Sequence, residues 1–64
     1  MVINGQQQEL RTPMSLAQLL KQKGYRQDLV AVECNGRIIK QSEYGATLVD
    51  GSTVLEIVSF VGGG

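Results

Sequence analysis

The chain has 64 residues, with six Lys plus Arg, six Asp plus Glu and no histidine, so its net charge is zero. A general nucleic-acid binder carries a basic surplus, which is missing here. One cysteine and no histidine exclude an internal disulfide and the usual four-ligand zinc site, and no run approaches the ~20 apolar residues of a membrane helix.

In chain order, the first signal is Asn4-Gly5, the pair favoured in a type I′ hairpin turn because both central residues take positive φ. It predicts a hairpin of residues 1–3 and 7–11, the second strand glutamine-rich and exposed on one face. The clearest helix follows. Ser15 is a good N-cap, Gln18 completes a capping-box pattern, and Met14 is placed to pack on Leu19 as a hydrophobic staple. Leu16, Leu19 and Leu20 form one apolar stripe. Lys21 and Lys23 suit the negative end of the helix dipole, and Gly24 stops the helix in a left-handed cap.

A second hairpin is expected from Val30 to Ile39. Val30, Val32 and Cys34 alternate with Ala31 and Glu33, and Asn35-Gly36 supplies the turn. The stretch QSEYGATL reads as irregular, with one helical turn started by Ser42. Asp50-Gly51 is another turn, and residues 53–60 form the longest strand. Within it Leu55 and Ile57 share one face, while Val54, Glu56, Val58 and Phe60 share the other. This order predicts an α+β fold: a mixed sheet of four to five strands packed on one helix, in one domain spanning residues 1–64. The front hairpin and the last strand are expected side by side in the middle of the sheet. With an unpaired cysteine and no basic start leading into an apolar run, the expected setting is the cytoplasm.

Side-chain chemistry is scarce. Without histidine no Ser-His or Cys-His pair of the common type exists, and the acids are scattered, none at a spacing that implies a shared site. A free-standing enzyme is not expected. Cys34 reads either as a reactive thiol or as a small apolar residue in phase with Val30 and Val32. The second is favoured because free cysteine is among the most buried residue types. Val54, Val58 and Phe60 either form an apolar docking patch or are partly covered by loops or the glutamine-rich front hairpin; both readings stay open.

The chain closes on Phe60-Val61-Gly62-Gly63-Gly64. Residues 61–64, as an extended, flexible tail, reach up to ~13 Å beyond the sheet. Three glycines make that arm thin enough to thread a channel in another protein and deliver the Gly64 carboxylate. A carboxylate is a poor electrophile until it is coupled to AMP, after which a sulfur or amine nucleophile displaces the nucleotide. A frayed terminus is the alternative; the direct join to the long strand favours the working arm.

The stretches INGQQQEL, SLAQLL, VAVECNGRII and, most specifically, DGSTVLEIVSFVGGG resemble the ThiS family of sulfur carriers in thiamin biosynthesis, over essentially the whole chain. The resemblance implies a ubiquitin-like β-grasp fold. It also implies that a ThiF-like enzyme adenylates Gly64 with ATP and that a sulfur donor, typically a cysteine desulfurase persulfide, converts it to a thiocarboxylate. Thiazole synthase (ThiG-like) then takes the sulfur. Gly64 would carry the sulfur, Gly62 and Gly63 would thread the partner sites, and Val54, Val58, Phe60 and Val61 would form the docking surface. No bound cofactor or metal, nucleic acid or membrane is implied. Two relatives of this design remain as alternatives: the small subunit of molybdopterin synthase, which usually has proline or alanine before Gly-Gly, and a ubiquitin-like protein modifier.

Overall fold

The computed structural model of the chain describes residues 1–60. Its strands are β1 (Val2–Ile3), β2 (Gln6–Gln7), β3 (Met14–Ser15), β4 (Val30–Cys34), β5 (Arg37–Ile39), β6 (Leu48–Val49) and β7 (Val54–Ser59), with one α-helix, α1 (Leu16–Gln22). Five strands form the main sheet in the order β2-β1-β7-β4-β5, and β3 pairs with β6 apart from it. The β1 and β7 strands run parallel, with Val2 opposite Val54 and Ile3 opposite Leu55. The other main-sheet pairs are antiparallel. The last strand is therefore central, as the sequence predicts.

Both Asn-Gly pairs turn as expected, with φ of 51° at Asn4, 80° at Gly5, 52° at Asn35 and 83° at Gly36. These paired positive values are those of the type I′ hairpin, whose twist matches that of the flanking strands. The β2 strand is shorter than the predicted 7–11. Its ladder runs beside β1 for two residues and closes where the Gln8 N–H donates to the Met1 carbonyl at 2.8 Å. A strand persists only while a neighbour offers backbone groups.

The ends of α1 account for their orphan backbone groups. At the start, Ser15 Oγ accepts from the Gln18 N–H at 3.1 Å, the Leu16 N–H donates to Thr47 O at 2.7 Å and the Ala17 N–H to Tyr44 O at 3.0 Å. At the end, Tyr25 N–H donates to Leu20 O and Gly24 N–H to Lys21 O, with Gly24 at φ +82°. This is the Schellman pattern, which needs a residue tolerant of positive φ at Gly24. Lys23 donates from its ammonium to Gln8 Oε1, tying the helix end to the front hairpin.

Leu16, Leu19 and Leu20 are buried against Ile3, Val32, Leu55 and Ile57 on the inner face of the sheet. Each such side chain contributes on the order of 2 kcal/mol by leaving water. Tyr44 is also buried, and its hydroxyl donates to the Val30 carbonyl at 3.3 Å. The segment around it contains a 3₁₀ turn, Gln41–Glu43, capped from Lys40, so Ser42 lies inside the turn and does not start it. The Glu43 carboxylate accepts from the Lys40 N–H, while the Glu43 N–H donates to Lys40 O. A second 3₁₀ turn, Gln27–Leu29, leads into β4.

Candidate functional site

Alternation along β7 divides the strand between two environments. Leu55 and Ile57 are buried, whereas Val54, Val58 and the following Phe60 are 45%, 58% and 68% exposed. All three side chains are accessible over about half of their surface or more. Together they leave an apolar group open to solvent on this side of the sheet.

The register sets out the open face row by row. Val2 lies opposite Val54. In the next row Ile38 of β5 is opposite Glu33 of β4, and Glu33 is opposite Glu56 of β7. In the third, Ala31 is opposite Val58. A shallow groove of about 160 Å³ lies among Ala31, Glu33, Ile38, Glu56 and Val58. Ile38, 76% exposed, belongs to the same apolar surface, although the sequence reading did not include it. Although no two acids sit at a sequence spacing that implies a shared site, antiparallel pairing makes Glu33 and Glu56 direct neighbours. Like charges directly opposite weaken a strand pair by roughly 0.2–1 kcal/mol.

The Phe60 N–H donates to the Leu29 carbonyl at 2.9 Å, which holds the backbone at the root of the glycine segment. The predicted site residues Val61, Gly62, Gly63 and Gly64 lie outside the described residues.

Elsewhere the described residues offer little chemistry. No group of three or more metal-ligating side chains occurs among them. Cys34 is half-buried against the core, as its phase predicts. Burial raises its thiol above the ordinary value, with Arg37 opposing the shift and Asp50 adding to it, so the nucleophilic thiolate is disfavoured. A wider depression of about 360 Å³ beside Met1, Gln7, Gln8 and Gly51 is open to solvent and holds no reactive pair. None of the described helices is long and apolar enough to cross a membrane.

Comparison with known proteins gives a consistent picture. The ThiS family model matches residues 1–64. Thiazole synthase of Paramagnetospirillum magneticum is 39% identical over 64 residues, covering 100% of this chain but 20% of that protein. Thiazole synthase of Magnetococcus marinus is 32% identical over 97% of this chain and 19% of its own length. The chain thus spans about a fifth of these two relatives. An uncharacterized protein of Pyropia yezoensis, ycf40, is 32% identical over 97% of this chain and 87% of its own. The crystal structure of the thiamine biosynthesis protein ThiS from Geobacter metallireducens superposes with a TM-score of 0.80 at 27% identity, covering 98% of this chain and 96% of that one. The five-stranded mixed sheet with its single α-helix is the β-grasp of those ThiS structures, and with a family match over its full length the chain belongs to the ThiS family.

Proposed function

We propose that this protein is a sulfur carrier for thiazole formation in thiamin biosynthesis, a protein co-substrate and not an enzyme. A ThiF-like enzyme docks on Val54, Val58, Phe60 and Val61 and admits Gly62, Gly63 and Gly64 to its nucleotide site. ATP, bound and consumed by that partner, converts the Gly64 carboxylate to an acyl adenylate. The adenylate is a competent electrophile because AMP leaves where oxide does not. The terminal sulfur of a donor such as a cysteine desulfurase persulfide displaces AMP to form an acyl disulfide. A second thiol cleaves its S–S bond reductively, leaving on Gly64 a thiocarboxylate that is soft and nucleophilic enough to give its sulfur to a ThiG-like thiazole synthase. The carrier itself holds no cofactor or metal in this scheme.

The observation that carries the reading is the exposed apolar face of the central strand, which leads through the hydrogen-bonded Phe60 directly into the glycine segment of a ThiS-family chain. The match to a segment of thiazole synthase chains supports the pairing with that enzyme. The test is an intact mass after incubation with ATP, a ThiF-like enzyme and sulfide. Replacement of one C-terminal oxygen by sulfur is expected, and absence of adenylation at Gly64 overturns the proposal. Conjugates to lysines in cell extract would favour a protein modifier instead.

A further inference from the structure

Glu33 and Glu56 stand side by side on the open face with no cation of their own. Among the described residues the ion pairs are Arg11–Glu9 and Arg26–Asp28, both elsewhere, and neither Glu33 nor Glu56 makes a side-chain hydrogen bond. Arg37 pairs in register with Cys34 and so belongs to the opposite face from Ile38. Lys40, just past β5, forms no ion pair with either acid. Adjacent like charges weaken strand pairing, so the fold gains nothing from the arrangement.

The apolar residues beside the pair make it informative. Ile38 and Val58 flank the two acids across one groove. Any protein that covers these side chains also strips water from Glu33 and Glu56, and a desolvated charge without a counter-charge is costly. A partner with a purely apolar surface is therefore a poor fit, and one that brings a cation is a good fit. Arginine suits best. Its planar guanidinium presents donors to two carboxylates at once, and its aliphatic stem packs on apolar neighbours.

We propose that the enzyme activating the tail docks on this face with an arginine set between Glu33 and Glu56, its stem lying in the groove between Ile38 and Val58. The acid pair then selects the partner by charge while Val58 and Phe60 supply apolar contact. This inference rests on the carrier reading above.

The experiment measures adenylation by the ThiF-like enzyme against carrier concentration and salt, for the wild type, Glu33→Gln, Glu56→Gln and the double variant. The double variant is expected to raise KM about tenfold with kcat within about twofold, and to lose most of the salt dependence that the wild type shows. Because repulsion is removed, its Tm is expected to equal or exceed that of the wild type, so a folding defect cannot imitate the result. A Val58→Ser variant should raise KM while keeping the salt dependence. If the double variant retains the wild-type KM and salt response, the arginine contact is overturned and the carrier reading stands. If the wild type itself is not adenylated, the carrier reading fails and this inference fails with it.

Discussion

The side-chain amide of Asn4 pairs with both backbone groups of Ile57. Its Oδ1 accepts from the Ile57 N–H at 2.7 Å, and its Nδ2 donates to the Ile57 carbonyl at 3.0 Å. The β1 strand ends at Ile3, so a side chain takes over the ladder where the backbone turns away. Asn35 repeats the device on the other flank of β7. Its backbone N–H donates to Val54 O at 2.8 Å, and its Oδ1 accepts from the Val54 N–H at 2.9 Å. Each Asn-Gly pair thus makes a turn and also clamps the central strand.

Glycine accepts the positive φ at these positions but has no amide, so Asn→Gly variants isolate the clamp. Asn4→Gly removes two hydrogen bonds and is expected to cost on the order of 1–3 kcal/mol. Asn35→Gly removes one side-chain bond and should cost less, about 1 kcal/mol. Urea unfolding of both variants beside the wild type checks the ranking; midpoints equal to that of the wild type would show that the clamps add nothing to the turns.

Tyr44 separates packing from hydrogen bonding. Tyr44→Phe gives up only its bond to the Val30 carbonyl, with an expected loss of about 1 kcal/mol. Tyr44→Ala also empties a fully packed site between α1 and β4 and is expected to cost about 3–5 kcal/mol, as large aromatic truncations do. Thermal unfolding distinguishes the two.

Asp50 sets part of the acid limb of stability. Its Oδ1 accepts from the Ser52 hydroxyl at 2.8 Å, from the Ser52 N–H at 2.9 Å and from the Thr53 hydroxyl at 3.3 Å. These bonds, the Ser52 hydroxyl foremost, lower its pKa below the ordinary 3.8. The folded state therefore binds this proton less readily than the unfolded chain does. The contribution is fully present above the ordinary aspartate range and is lost as pH falls through the lower, folded value. Asp50→Asn should reduce Tm at neutral pH and flatten the decline below about pH 4. A parallel decline in both proteins would assign the acid sensitivity to other carboxylates.

Stability and docking are expected to come apart on β7. Phe60→Ala changes a side chain that is 68% exposed, so its unfolding free energy should stay within about 0.5 kcal/mol of the wild type while KM for adenylation rises. Leu55→Ala, on the buried face of the same strand, should cost about 2–5 kcal/mol. Measuring unfolding and adenylation on both proteins gives opposite patterns if the strand's two faces have the separate roles assigned here.

Local patterns made much of this fold legible. The Asn-Gly turns, the Ser15 cap, the Gly24 stop and the β7 alternation are signals within a few residues, and each appears in the structure. The β3–β6 pair was not legible because two residues per strand are too few to show a period. Tyr44 was missed because its burial depends on α1 and β4 closing over an irregular segment, with no periodicity to announce it. The meeting of Glu33 with Glu56 required the register between β4 and β7, which no single window of sequence contains, and Ile38 joined the open face through the register of β5 on β4.

The position of β7 also bears on how the chain reaches this structure. Residues before Val54 contain the two Asn-Gly hairpins, yet in the sheet those hairpins touch different edges of one strand that has still to arrive. An isolated two-stranded hairpin is at best marginally stable in water. Synthesis from the N-terminus therefore yields unfinished halves until residues 54–59 emerge, and both edges are then closed in one cooperative event. Pairing the first strand with the last makes that event non-local and slower than the chain's length alone implies. Until it occurs, the same unpaired edges are open to other chains.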